Sequence, residues 1–195
     1  MSLTKQARML QPGEISTIAA YLGAHSHDPL RDTCILYLSV YAGLRAKEIA
    51  GLDWSMLDRD TENTISLTNA VSKGTKGGRV IPMHPLLVAV VGQLRAAYSV
   101  PPRKGPVLTA RTGKSFTAHA IVQKFRQWYA RLDMEGCSSH SGRRTFITTA
   151  ARTISLHGGS LEDVRDLAGH TTVSMTQRYI VVNEEAKRNV VAGML

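Results

Sequence analysis

Cysteine is scarce in this chain. Its two residues, Cys34 and Cys137, stand far apart and match no metal-ligand spacing. They read as reduced thiols, with Cys34 placed in the core by its apolar helical run. No apolar run approaches the roughly 18 residues that a membrane span requires. The opening MSLTKQARML carries no apolar stretch long enough for a secretion signal. The expectation is a cytoplasmic protein with no membrane partner. Acidic residues are missing altogether between Glu62 and Asp133. No repeat and no low-complexity segment interrupts the chain.

What is present is ordinary in bulk and unusual in distribution. The 195 residues are 43% apolar and 20% charged, which fits one globular domain. The net charge is +9 and the isoelectric point about 9.9, so an acidic partner is expected. The acid-free stretch carries Lys73, Lys76, Arg79, Arg95, Arg103, Lys104, Arg111, Lys114, Lys124, Arg126 and Arg131. It reads as a surface that contacts phosphates, with plain solubility charge as the alternative. These residues do not gather on one amphipathic helix, which disfavours a membrane surface.

Periodicity predicts a mainly α protein with a small antiparallel β-sheet. Helices are expected from Pro12 to about Leu22, and from Pro29, capped by Asp28, to a stop at Gly43. A short helix then runs over Arg45–Ala50. Residues 63–69 and 79–83 alternate as strands around a glycine-rich turn at 71–78. Further helices are expected over Pro85–Tyr98, from Thr117 to about Leu132, and from His140 to about Ile154. Ser160 and Asp163 make a capping-box-like start for a helix that stops at Gly169. A short helix spans Thr171–Tyr179. Asn183 caps a tail helix, about 183–195, with Ala186, Val190, Val191 and Met194 near one face. That tail either packs on the core or docks on a neighbouring protomer.

Four segments could carry chemistry. In AGLRAKEIAGL, residues 42–52, Arg45 reads either as an anion ligand or as a surface arginine paired with Glu48. Lys73 in the turn reads as a donor delivered by a flexible loop or as a solvated lysine. In SSHSGRRTFITTAAR, residues 138–152, His140 and Arg143 share a helix face and can grip one phosphate. No second histidine follows at a metal-binding spacing, and a structural histidine is the alternative. In LAGHTTVSMTQRYI, residues 167–180, His170 follows a helix stop. Tyr179, nine residues on, would by default be a packing residue.

Taken together, these segments resemble the tyrosine recombinase (phage integrase) family. The matching pieces are GLR at 43–45, SKG at 72–74, HSGR at 140–143, LAGH at 167–170 and QRY at 177–179, in the family's order and spacing. The resemblance implies the DNA breaking-rejoining catalytic fold. It implies that Arg45, Arg143 and His170 hold the scissile phosphate, and that Tyr179 is the nucleophile forming a 3′-phosphotyrosyl link. Lys73 would protonate the leaving 5′ oxygen, with Lys76 as runner-up. His140 would handle protons and orient the site. Lys76, Arg79 and Arg144 are expected to contact DNA. The covalent link conserves the phosphodiester bond energy, and no carboxylate cluster offers a metal pair. No cofactor and no metal are therefore expected.

Two positions depart from the pattern. Gly142 stands where leucine is commoner, and Arg144 where many members have histidine. The chain also starts near the beginning of the catalytic domain. The expectation is thus a single catalytic domain, 1–195, without the N-terminal helical domain that completes a clamp on DNA. The expected partners are double-stranded DNA and further copies of the chain in a tetrameric synapse, with a monomer when free. A catalytically silent DNA-binding regulator and a type IB topoisomerase-like enzyme remain the alternative functions.

Overall fold

A computed structural model describes residues 6–57, 63–71, 78–100, 102–180, 188 and 191–193. Helix α1 (Pro12–His25) begins with proline at its first position, and the Gln11 N–H donates to Glu14 Oε2 at 2.8 Å. Helix α2 (Pro29–Tyr41) starts where Asp28 accepts from the Arg31 N–H at 3.1 Å. Its second half is buried nearly all round, through Cys34, Ile35, Leu36, Leu38, Ser39 and Val40, as expected of a central helix. Helices α1, α4 (Pro85–Ala96) and α6 (Ser141–Thr153) pack against it. The short α3 (Ala46–Ala50) packs on α5 (Ala118–Arg131), which Thr117 caps by accepting from the Ala120 N–H. Cys34 is core as expected, and burial pushes its thiol up to about 12.

Strands β1 (Thr64–Leu67) and β2 (Arg79–Pro82) pair antiparallel, with Thr64 opposite Pro82 and Leu67 opposite Arg79. The alternation expected of a half-buried strand holds here. Ile65 and Ile81 face the core, while Val80 points out and is 59% exposed. The turn joining the strands, with Lys73 and Lys76, lies outside the described residues. So does most of the expected tail helix.

Helix α7 (Leu161–Ala168) starts with the expected box, the Ser160 N–H donating to Asp163 Oδ2 at 2.7 Å. It ends in a Schellman turn. The Gly169 N–H reaches Asp166 O, and the His170 N–H reaches Arg165 O, at 3.0 Å each. That turn requires a positive φ at its glycine, and Gly169 sits at +62°. Helix α8 (Val173–Gln177) is shorter than the expected Thr171–Tyr179 because Thr172 is extended at its N-cap.

The core has two parts. The main cluster lies between α1, α2, α4, α5 and the hairpin. A smaller one joins Ile147, Val164 and Ala168, with Phe146, Ile154 and Tyr179 packed on it. The departure at Gly142 has a physical reason in the α2–α6 crossing. A Cβ on Gly142 would lie 2.4 Å from Ser39 Oγ, so the helices approach too closely for leucine.

Candidate active site

The site forms where the two core clusters meet. At the end of α2 the chain reverses at Gly43, whose φ is +63°. A Cβ there would strike the Phe146 ring at 2.4 Å. The reversal buries Leu44 and sets Arg45 at the start of α3. On α6, Arg143 is only 3% exposed. The Schellman turn delivers His170, and α8 carries the chain on to Tyr179.

Three successive carbonyls at the end of α7 each accept from a different arginine. Leu167 O receives Arg79 Nε at 3.0 Å, Ala168 O receives Arg143 Nη2 at 2.6 Å, and Gly169 O receives Arg45 Nη2 at a longer 3.4 Å. These are orphan acceptors at the negative end of a helix, where cations are stabilised. The helix end thus gathers guanidinium groups from α3, β2 and α6 that would otherwise repel one another. Arg143 Nη1 also donates to Gly43 O at 2.6 Å, tying the GLR turn to the same point.

One carboxylate sits among them. Glu48 is buried and accepts from Arg45 Nη1 at 2.7 Å and from Arg79 Nη1 and Nη2 at 3.0 Å each. Burial works to raise its pKa, but the Arg79 hydrogen bonds and charge, with Arg45, hold it down at about 2. Arg45 therefore pairs with Glu48, as one of its two readings expected, and also reaches the end of α7. Three guanidinium groups against one carboxylate leave the pocket with excess positive charge. Burial, together with Arg45, lowers the Arg143 pKa, yet its guanidinium stays cationic at neutral pH.

A cavity of about 360 Å³ opens beside Arg143, lined also by Gln6, Ala7, His140, Arg144 and Tyr179 among others. His140 is exposed at the start of α6, and Tyr179 is half-buried. The Tyr179 ring stacks on His170 with centroids 5.6 Å apart and planes 23° from parallel. Its backbone is pinned by its own N–H on Thr176 O at 2.9 Å and by Thr148 Oγ1 donating to its carbonyl at 3.4 Å. The structure thus brings Arg45, His140, Arg143, His170 and Tyr179 together.

Burial, then Arg143, Arg45 and Arg79, depresses the His170 pKa to about 4. The unfolded chain takes up this proton near 6.5 while the folded one resists it. Stability is therefore complete above about pH 6.5 and falls as the pH drops towards 4. At pH 5 the deficit should be about 1–2 kcal/mol after solvent screening. Thermal unfolding should show a lower midpoint at pH 5 than at pH 7, and His170→Gln should flatten that slope. The Glu48 contribution is separable, because it is lost only as the pH falls from about 4.5 to about 2.

Two expectations need correction. Arg79 does not face outward to DNA. It is buried, with its guanidinium held by Glu48 and Leu167 O. A Cβ on Gly169 would touch its Nη1 at 2.7 Å. Nor is the acid-free stretch one continuous surface. Lys124 pairs with the buried Asp32 at 2.8 Å, and Arg95 lies over the Trp54 ring at 5.2 Å, while Arg103, Lys104, Arg111, Lys114, Arg126 and Arg131 are exposed. Arg144 lines the cavity but donates to Ala7 O at 3.0 Å. Sequence reasoning missed Glu48 as the hub, with only its spacing from Arg45 as a signal, and it missed Thr176 and Arg178. No helix among the described residues is long and apolar enough to cross a membrane.

Residues 8–186 match the phage integrase family. Tyrosine recombinase XerC of Shewanella amazonensis is 27% identical over 152 residues, covering 77% of this chain and 48% of that protein. XerC of Actinobacillus succinogenes is 26% identical over 183 residues, covering 92% and 59%. The chain thus spans about half the length of the curated relatives it matches. Among solved structures, XerA recombinase superposes with a TM-score of 0.74 at 21% identity, over 96% of this chain and 65% of that one. The Tn1549 transposon integrase, in complex with circular intermediate DNA, gives 0.77 at 16% identity, over 100% and 68%. The fold is that of these proteins.

Proposed function

The chain belongs to the phage integrase family, and on that premise we propose that it is the catalytic domain of a site-specific DNA recombinase. One observation carries the reading. Buried arginines outnumber the carboxylate among them, and Arg143 opens this charge onto a cavity that also holds Tyr179 and His140. Such a pocket is complementary to a phosphodiester being attacked by a phenol.

In this reading a backbone phosphate takes its place against Arg45, Arg143 and His170. The fork geometry of arginine suits two phosphate oxygens and offsets the charge that grows on them. A phenol with a pKa near 10 is a poor nucleophile unless positive charge and a proton acceptor stand near it. Arg143 supplies the first and His140 the second. The Tyr179 oxygen bonds to phosphorus as the bond from phosphorus to the 5′ oxygen breaks. Lys73 gives that oxygen its proton, with Lys76 the alternative donor on the same turn. A 3′-phosphotyrosyl link and a free 5′-hydroxyl result, and the reverse reaction with another strand completes recombination. Double-stranded DNA is the partner, and four copies of the chain act together in the synapse. Arg144 and the exposed arginines of 103–131 serve as DNA contacts.

The test is a suicide duplex whose cleaved 5′ fragment diffuses away. The protein should accumulate as a covalent adduct on a denaturing gel, with the DNA mapped to the peptide containing Tyr179. An adduct that persists in Tyr179→Phe would sink the reading. Relaxation of supercoiled plasmid without exchange between two sites would favour a topoisomerase.

A further inference from the structure

Thr176 is completely buried on α8, and its hydroxyl has one hydrogen-bond partner among the described residues, His170 Nδ1 at 2.9 Å. A threonine in a helix often returns its hydroxyl to the carbonyl four residues back, and this one does not. Its backbone carbonyl meanwhile accepts from the Tyr179 N–H. One residue therefore touches both the histidine and the tyrosine of the site.

A neutral imidazole has one N–H and one lone pair, so two arrangements fit this contact. If Nδ1–H donated to the hydroxyl, the hydroxyl hydrogen would be left in the interior with no acceptor among the described residues. A buried donor without a partner is strongly disfavoured. If the hydroxyl donates to Nδ1, no proton in the pair is stranded and the N–H falls on Nε2, on the side of the ring turned away from Thr176. We infer that Thr176 is a positioning residue that fixes His170 as the Nε2–H tautomer, so that an uncharged imidazole still offers a donor to the phosphate gathered by Arg143. The low proton affinity of the ring, set by burial and the neighbouring arginines, is consistent with the uncharged form. The inference rests on the reading of the cavity as a phosphodiester site.

The test uses the whole chain, 15N-labelled, at pH 7 and without DNA, with His170 assigned by comparison with His170→Gln. The pyridine-type nitrogen should be Nδ1 and the pyrrole-type Nε2. The tautomer itself is read on the wild-type protein. Thr176→Val removes the hydroxyl at constant shape. It should admit the Nδ1–H form and slow adduct formation on the suicide duplex roughly tenfold at unchanged DNA affinity. Thr176→Ser should restore both the tautomer and the rate. A wild-type imidazole protonated on Nδ1 overturns the inference, and so does a valine variant that cleaves at the wild-type rate. A wild-type protein with the Nε2–H tautomer but no adduct supports the tautomer assignment and removes the recombinase reading instead.

Discussion

Arg143→Lys is expected to slow covalent adduct formation by roughly 10²–10³-fold while leaving duplex affinity nearly unchanged. The charge is kept and the fork is lost. A guanidinium has five N–H groups, and Arg143 uses two of them on Gly43 O and Ala168 O. Its other donors have no hydrogen-bond partner among the described residues, and Arg143 lines the cavity. The arginine holds the GLR turn and the end of α7 at fixed distance, and in the proposed reaction it grips the phosphate as well. A lysine has a single nitrogen, which cannot span two carbonyls and two phosphate oxygens at once. Affinity survives because most of it comes from contacts spread along the duplex, of which this is one. Single-turnover adduct formation on the suicide duplex measures the first quantity, and a mobility shift at fixed salt measures the second. Cleavage by the lysine variant at the wild-type rate would remove Arg143 from the phosphate.

Local signals in the sequence read through to structure where the physics was local. Thr117, Asp28 and the Ser160–Asp163 pair mark helix starts because a cap is satisfied within three residues. Gly43 and Gly169 mark reversals because only glycine adopts those turns at no steric cost. The grouping of Arg45, Arg143, His170 and Tyr179 followed from resemblance, since nothing in spacing alone joins residues so far apart. Arg79 shows the limit. On the page of the sequence it is one more cation in an acid-free stretch. Its carboxylate is Glu48, 31 positions earlier, and its second partner is a backbone carbonyl 88 positions later. Neither leaves a periodic trace. Lys124 misleads in the same way, because Asp32 lies 92 positions away on another helix. A charge run in sequence thus overstates the charge that reaches solvent. The line of arginines along the end of α7 was equally illegible, since its acceptors are backbone atoms that every residue type shares.

Glu48→Gln is expected to destabilise the folded chain by about 3–5 kcal/mol, the usual cost of removing one partner from a buried ion pair. Glu48 alone among the described residues sets a carboxylate between Arg45 and Arg79, and both guanidinium groups reach it within 3.0 Å. Without its charge, Arg45, Arg79 and Arg143 face one another with only the dipole of α7 to offset them. Glutamine preserves the shape and one acceptor oxygen, so the loss reports charge rather than packing. Urea unfolding at pH 7 measures it. The same reasoning fixes how DNA should act. A phosphate in the cavity supplies the negative charge that the variant lacks, so duplex DNA should raise the unfolding midpoint of Glu48→Gln more than that of the wild type. In the wild type the phosphate meets arginines already partly neutralised and preorganised by Glu48, and the stabilisation is smaller. Equal stabilisation of the two proteins would mean that the phosphate does not enter the field of this cluster, and the site would have to be sought elsewhere on the surface.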